Sequence, residues 1–190
     1  MSQPEVLYEK SERIATITLN RPDRLNAYTA SLGDALRAAV RRATDDGGVR
    51  VIVLTGAGRG FCAGADMASL SQGTASGGAA LAADNPAQPP APFDAHSSPD
   101  YQTPHSYFPA VPKPIIAAIN GACAGLGLVY ALYCDQRFAA AGAQFTTAFA
   151  RRGLIAEHGI SHTLPRVLAM MRKSDERRAS HAARTLTDIS

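Results

Sequence analysis

The 190-residue chain has no tryptophan, and only 18% of its residues are charged. Its three cysteines, Cys62, Cys123 and Cys134, form no CxxC pair and lack the spacing with histidine that a zinc site needs. These absences exclude a small disulfide or zinc scaffold and favour a reducing compartment. With a hydrophobic share of 46%, the chain is long enough to bury its own core as one globular domain.

The chain also lacks a large excess of one charge, since it has 19 Lys and Arg residues and 16 Asp and Glu residues. The sequence shows no basic cluster with interleaved aromatic residues, so we expect no nucleic-acid partner. The first ten residues lack the basic, apolar and small-residue regions of a secretory signal. The sequence therefore predicts a cytoplasmic protein.

A long uncharged run occurs at residues 114–134 and approaches the length of a membrane span. The turn dipeptide Asn120-Gly121 interrupts this run, and Gly125 and Gly127 add backbone freedom that a lipid-facing helix disfavours. We therefore predict a buried strand, a tight turn and a buried helix here, and no membrane partner.

Several motifs with a defined chemistry are missing. Neither GxxxxGKS/T nor GxSxG occurs, so the sequence supports neither nucleotide hydrolysis nor catalysis by a nucleophilic serine in a nucleophile elbow. Gly56 and Gly58 are followed by Phe61 where a dinucleotide-binding loop has its third glycine, which leaves that fold as a runner-up. His158 and His162 are four residues apart but lack HExxH order, and we predict no metal site.

The hydrophobic pattern predicts an α/β fold. Residues 5–9 and 13–19 alternate in hydrophobicity and are rich in β-branched side chains, which is typical of an antiparallel hairpin. A helix is predicted from an N-cap at Thr29 to residues 45–48, because apolar residues recur there at i, i+3 and i+4 spacing. One face of that helix is expected to join the core.

Two further units each join a buried strand to a glycine-containing loop, at residues 51–60 and 115–121. The second loop leads into an apolar segment that ends at Asp135, and such units indicate a parallel sheet. Between them, residues 69–112 hold eight of the twelve prolines. We predict that this Pro/Gly/Ala-rich segment is a largely disordered insertion.

Small residues follow both buried strands, as FCAGAD at residues 61–66 and GACAGLG at residues 121–127. A helix that starts at such a loop leaves its first N–H groups without an intrahelical partner. Two of these groups aimed at one oxygen form an oxyanion hole. This chemistry needs a backbone shape that glycine permits and requires no side chain.

Five motifs occur in order along the chain. They are Leu19-Asn20-Arg21-Pro22 with Leu25-Asn26-Ala27, Gly60 to Met67, Lys113 to Gly121, Cys134-Asp135, and Ala143-Gln144-Phe145. In this order they resemble the crotonase superfamily, the enoyl-CoA hydratase/isomerase family. The resemblance implies a crotonase-like spiral of ββα units over residues 1–168. From the same resemblance we expect the family's C-terminal helical region to be largely missing and residues 169–190 to be an atypical basic tail.

The resemblance further implies an enzyme of fatty acid metabolism that acts on acyl-CoA thioesters through an enolate. The backbone amides that form the oxyanion hole carry over to Ala65 and Leu126. The residues that border the CoA and acyl path carry over to Arg24, Ala63, Ala65, Asp66, Met67, Ala68 and Leu126. A solvated arginine is the alternative for Arg24. No cofactor is implied, because coenzyme A is part of the substrate, and the expected assembly is a homotrimer or hexamer.

The sequence departs from typical hydratases at Val129 and Phe149, which stand where those enzymes carry two catalytic glutamates. Glu157 lies in register with an acid of some isomerase branches, notably dienoyl-CoA isomerases, and is the predicted acid/base. A solvated loop acid, or an ion-pair partner for Arg151 or Arg152, is the alternative. A single base beside an oxyanion hole favours double-bond isomerisation, with hydration through Glu157 alone as the nearest alternative. A catalytically degenerate or truncated CoA-binding protein is the competing class.

Overall fold

The computed structural model describes residues 3–66, 91–149, 153, 155–156 and 158–169. The larger sheet consists of β1 Val6–Ser11, β2 Ile14–Leu19, β3 Val51–Gly56, β5 Ile115–Ile119 and β7 Gln136–Ala139. These strands lie in the spatial order β1-β2-β3-β5-β7. β1 and β2 are antiparallel, whereas all later neighbours are parallel. The predicted α/β class is confirmed.

The opening hairpin forms where the hydrophobic alternation predicts it. Val6 lies opposite Leu19 and Ser11 lies opposite Ile14. Alternate residues of β2 point to opposite faces of the sheet, so one set is fully buried while the other is half-buried or exposed. The hairpin thereby gives the sheet one apolar face against which a helix packs.

The helix α1, Ala30–Asp45, covers that face. Thr29 caps its first turn, with the side chain oxygen accepting a hydrogen bond from the Leu32 amide at 3.2 Å. At the other end, Lys113 Nζ donates to two main-chain carbonyl oxygens, at 2.8 and 2.7 Å. These bonds satisfy acceptors that a helix C-terminus leaves open. The predicted helix is confirmed; its buried residues are Leu32, Leu36, Val40 and Ala43.

A second, smaller sheet contains β4 Gly60–Cys62, β6 Ala122–Ala124 and β8 Phe145–Thr146, all parallel. The helix α2, Leu126–Tyr133, follows β6 directly and is buried along almost its whole length. A further helix, α3, covers residues 160–169. In the described part of the chain, no helix combines the length and apolar character needed to cross a membrane.

The two sheets are built by a repeating path. β3, β5 and β7 of the larger sheet are each followed along the chain by β4, β6 and β8 of the smaller sheet. Each repeat therefore makes one turn and places its strand beside the equivalent strand of the previous repeat. As a result, the loops that leave β4 and β6 emerge side by side.

Of the segment predicted as a largely disordered insertion, residues 69–112, the structure describes only residues 91–112. Residues 91–112 contain two short 3-10 turns, and Tyr107 and Phe108 are almost completely buried. The guanidinium groups of Arg37 and Arg41 on α1 lie 5.0 and 3.9 Å from the centre of the Phe93 ring. Prolines dominate the composition here, but these aromatic residues supply enough apolar surface to pack against α1.

Candidate active site

Two glycines bring the loops after β4 and β6 into contact. Gly64 and Gly125 have φ angles of 92° and 48°, a region that favours glycine. A methyl group on Gly64 would lie 3.1 Å from the carbonyl oxygen of Ala124 and 3.6 Å from the Cα of Gly125. The residues that follow these glycines, Ala65 and Leu126, therefore leave the same junction.

The amide of Ala65 is oriented by a bridge to Tyr28. The Tyr28 amide donates to the Gly64 carbonyl oxygen at 2.7 Å, and the Asp66 amide donates to the Tyr28 carbonyl oxygen at 2.8 Å. The two hydrogen bonds of this parallel bridge flank Ala65. The N–H of Ala65 itself therefore points away from the strand segment that contains Tyr28. Among the described residues, no acceptor meets the Ala65 N–H.

The amide of Leu126 belongs to the first residue of α2. The Gly125 amide donates to the Thr146 carbonyl oxygen at 3.1 Å, and the Val129 amide donates to that of Gly125. The N–H of Leu126 therefore makes no intrahelical hydrogen bond, and it meets no acceptor within the described residues. A methyl group on Gly127 would lie 2.2 Å from the Cys62 carbonyl oxygen, so this contact fixes α2 against β4.

A buried asparagine holds the loop before β4. Asn26 is fully buried, and its Nδ2 donates to the carbonyl oxygens of Ala57 and Gly60 at 3.0 and 2.7 Å. Its Oδ1 accepts from the Arg21 amide at 2.8 Å. Asn26 has a φ of 56°, which asparagine tolerates better than most residues. This part of the sequence motif is thus structural.

The predicted path residues lie in different environments. Asp66 is half-buried and its carboxylate forms an ion pair with Arg21 at 3.0 Å; Arg21 Nε also contacts Glu5 at 3.1 Å. Ala63 is half-buried, and its amide donates to the Leu25 carbonyl oxygen at 3.0 Å. Arg24 is exposed in a 3-10 turn. Met67, Ala68 and Glu157 lie outside the described residues.

Two cysteines lie beneath the junction. Cys62 and Cys123 occupy neighbouring positions of β4 and β6 and are buried. Burial raises the pKa of the Cys62 thiol to about 11 and that of Cys123 to about 12. Both thiols therefore stay protonated near neutral pH. Packing explains Cys62 better than a nucleophilic role does.

The two positions that lack a glutamate are apolar and buried. Val129 on α2 is 1% exposed and Phe149, after β8, is 8% exposed. Phe149 lines a cavity of about 250 Å³ together with Thr147, Ala156, Ile160, Ser161, Leu164 and Pro165. The Thr147 carbonyl oxygen lies 3.9 Å from a methyl group built on Gly125, so the cavity borders the second loop. Its lining is mostly hydrocarbon.

A cluster of polar aromatic residues surrounds Tyr130 of α2. His105 is 6% exposed, and its Nδ1 lies 2.9 Å from the hydroxyl oxygen of Tyr130. The His105 ring meets those of Tyr28 and His158 edge to face, with centroids 5.0 and 4.6 Å apart. This cluster is absent from the sequence-based predictions. The aromatic residues near His105 indicate a buried segment, but the prolines around them favour disorder and obscure this signal.

Among the described residues, no group of three or more His, Cys, Asp or Glu side chains is placed to hold a metal ion. Neither His158 nor His162 belongs to such a group. His158 precedes α3 with a φ of 53°, whereas Nδ1 of His162 lies 2.5 Å from Arg166 Nη1 one turn further along that helix.

Comparison with protein families gives a match over most of the chain. The family model described as Enoyl-CoA hydratase/isomerase matches residues 9–176. A probable enoyl-CoA hydratase of Rhodobacter capsulatus is 38% identical over 172 residues, which are 90% of this chain and 60% of that protein. The 1,2-epoxyphenylacetyl-CoA isomerase of Escherichia coli is 35% identical, and the match covers 88% of this chain and 59% of that protein.

Solved structures show the same relationship. An enoyl-CoA hydratase from Mycobacterium marinum superimposes with a TM-score of 0.62 at 47% identity, covering 86% of this chain and 65% of that one. An enoyl-CoA hydratase/isomerase from Mycobacterium abscessus gives a TM-score of 0.72 at 32% identity, covering 89% and 61%. The predicted crotonase-like fold is confirmed. The chain spans about three fifths of the length of these relatives.

Proposed function

Because the chain belongs to the enoyl-CoA hydratase/isomerase family, we propose that it binds an acyl-CoA thioester and forms an enolate at the junction of the β4 and β6 loops. The amides of Ala65 and Leu126 donate to the thioester carbonyl oxygen. Two donors held in place stabilise the negative charge that develops there when a proton leaves the neighbouring carbon. No cofactor is required, since the thioester itself delocalises the charge.

The observation that carries this proposal is the contact between Gly64 and Gly125. It brings together two main-chain segments whose next amides meet no acceptor within the described residues. Leu126 is buried and Ala65 is half-buried. Two N–H groups without an acceptor at such a place indicate a site for an oxygen atom. The oxygen of a polarised carbonyl meets that requirement.

The reaction that we favour is double-bond isomerisation, with Glu157 as the acid/base. Hydration by the two-glutamate arrangement is unsupported, because Val129 and Phe149 are buried apolar side chains. A single carboxylate removes a proton from one carbon of the acyl chain and returns it at another. The relatives named above include both a hydratase and an isomerase. Hydration through Glu157 alone is the second candidate.

We assign the acyl chain to the cavity lined by Phe149 and Ala156. Its walls are mostly hydrocarbon, as an acyl group requires, and Ala156 directly precedes Glu157. Arg24, being exposed, is available to a CoA phosphate. Ala63, Asp66, Met67 and Ala68 would border the same path. Through its ion pair with Arg21, Asp66 also holds the loop after β4 in place.

The test is deuterium uptake from heavy water into a panel of saturated and unsaturated acyl-CoAs, followed by mass spectrometry. The wild-type protein and Glu157→Gln are compared under the same conditions. The proposal predicts uptake with the wild type and none with the variant. Uptake that is equal in both proteins would exclude Glu157 as the base.

A non-catalytic CoA-binding role is the competing proposal. It is favoured by the apolar side chains of Val129 and Phe149, which stand where two catalytic glutamates are expected. Binding of acyl-CoA without deuterium uptake into any acyl chain would support it.

We also propose that the protein is a cytoplasmic homotrimer or hexamer, and size-exclusion chromatography measures its oligomeric state. Phe138 on β7 and Phe145 on β8 are exposed, as expected of aromatic residues that contact another subunit.

A further inference from the structure

Tyr28 connects the two segments that carry the proposed oxyanion hole. Its main chain forms the two hydrogen bonds that flank Ala65, at 2.7 and 2.8 Å. Its ring centroid lies 6.3 Å from that of Tyr130 on α2, the helix that begins at Leu126. One residue therefore contacts the loop of the first amide through its main chain and the helix of the second amide through its side chain.

Two further contacts hold the ring of Tyr28. The His105 ring meets it edge to face, with centroids 5.0 Å apart, and His105 and Tyr130 are themselves almost completely buried. Gly33 of α1 lies against the far end of the ring, where a methyl group would stand 2.6 Å from Cε2 and 2.8 Å from Cζ and would also overlap the hydroxyl. The ring fits in this place only because residue 33 has no side chain.

Gly33 has no other evident reason to be glycine. It lies within α1, where its amide donates to the Thr29 carbonyl oxygen at 2.9 Å, and its φ is not positive. Glycine weakens a helix relative to alanine, because it loses more main-chain freedom on folding. The space that Gly33 leaves for the Tyr28 ring gives a physical reason for this residue.

We propose that Tyr28 is a positioning residue that fixes the two amide donors relative to each other, a role that rests on the enolate function proposed above. The ring holds the main chain of Tyr28 against α2, and the two hydrogen bonds transmit that position to Ala65. A donor stabilises a developing oxyanion only when its N–H points at the oxygen within a narrow tolerance. Displacement of the ring therefore turns the Ala65 N–H away from the thioester oxygen, while Leu126 keeps its place in α2.

The test displaces the ring without altering either donor. Gly33→Ala places a methyl group where the ring lies, and Tyr28→Leu removes the ring and hydroxyl atoms that this methyl group meets. The two changes together complete a double-mutant cycle, since the methyl group has nothing to displace once the ring is absent. Gly47→Ala is the matched control, because a methyl group there has no atom within 4 Å. A thermal melt shows which variants are folded.

Two readouts separate positioning from a purely structural role. The first is deuterium uptake into an acyl-CoA over a range of concentrations, which separates kcat from KM. The second is the infrared carbonyl stretch of the bound thioester labelled with ¹³C, which reports the hydrogen bonds to its oxygen. A substitution that only weakens the fold lowers the melting temperature but leaves both readouts of the folded protein unchanged.

We expect Gly33→Ala to lower kcat for uptake by roughly 10-fold to 100-fold with little change in KM, and to move the carbonyl stretch part of the way toward its free value. Tyr28→Leu has the same effect, and adding Gly33→Ala to it causes no further loss. Gly47→Ala matches the wild type. The inference is overturned if folded Gly33→Ala matches the wild type in both readouts, or if its loss adds in full to that of Tyr28→Leu. Absence of both uptake and a shifted stretch in the wild type overturns the proposed function itself.

Discussion

Leu126→Pro offers a way to delete one donor of the oxyanion hole while keeping the fold. Leu126 is the first residue of α2, and its N–H makes no intrahelical hydrogen bond. Proline is well tolerated at this helix position, because its missing N–H has no partner there and its fixed φ suits the helix. The preceding residue is Gly125, which has no Cβ to clash with the proline ring.

The expected loss follows from the number of donors. Of the two amides at the junction, the variant keeps that of Ala65 and loses that of Leu126. Removal of one oxyanion donor typically slows the chemical step by about 100-fold to 1,000-fold, or roughly 3 to 4 kcal/mol of transition-state stabilisation. Acyl-CoA binding should change far less, because the carbonyl carries little charge in the ground state.

The assay is the initial rate of deuterium uptake, with a thermal melt to show that each protein is folded. Leu126→Ala is the matched control, since it also loses the buried leucine side chain but retains the N–H. Because only the proline variant lacks the N–H, we expect a large difference in rate between the alanine and proline variants. Equal rates in two folded variants would refute the assignment of the Leu126 amide.

Three further predictions concern stability and reactivity. Asn26→Ala should lower the free energy of unfolding by about 3 kcal/mol, because three hydrogen bonds are lost at roughly 1 kcal/mol each; an unchanged denaturation midpoint would contradict this. Tyr107→Phe should leave stability unchanged or raise it by up to about 1 kcal/mol, measured by urea unfolding, since its hydroxyl is unpaired within the described residues. The raised pKa values of Cys62 and Cys123 predict that a thiol reagent at pH 8 labels neither residue until the protein is denatured; rapid labelling of the native protein would show that they are accessible.

The elements that local patterning specifies were predictable from the sequence. The hairpin, α1 with its Thr29 cap and the buried β5 with α2 each follow from hydrophobic periodicity and turn residues close along the chain. The contact between Gly64 and Gly125 is different, because it depends on the pairing of β4 with β6. The resemblance to the family supplied that long-range information, whereas composition did not.

The pair of His105 and Tyr130 shows where sequence reasoning fails. His105 lies in a proline-rich segment whose composition favours disorder, and 25 residues separate it from Tyr130. Packing of Tyr107 and Phe108 against α1 and α2 overrides that local preference and carries His105 into the interior. Such a placement depends on aromatic burial across the fold, which no short motif encodes.

The central claim is that two main-chain amides polarise a thioester carbonyl, and isotope-edited infrared difference spectroscopy measures this directly. An acyl-CoA labelled with ¹³C at the thioester carbonyl is bound to the wild type, Leu126→Ala and Leu126→Pro. Hydrogen bonds from both amides should move the carbonyl stretch to lower frequency in the first two complexes, and the stretch should return toward the free value in the proline variant. A bound stretch at the free frequency in the wild-type protein would show that the two amides do not polarise the carbonyl.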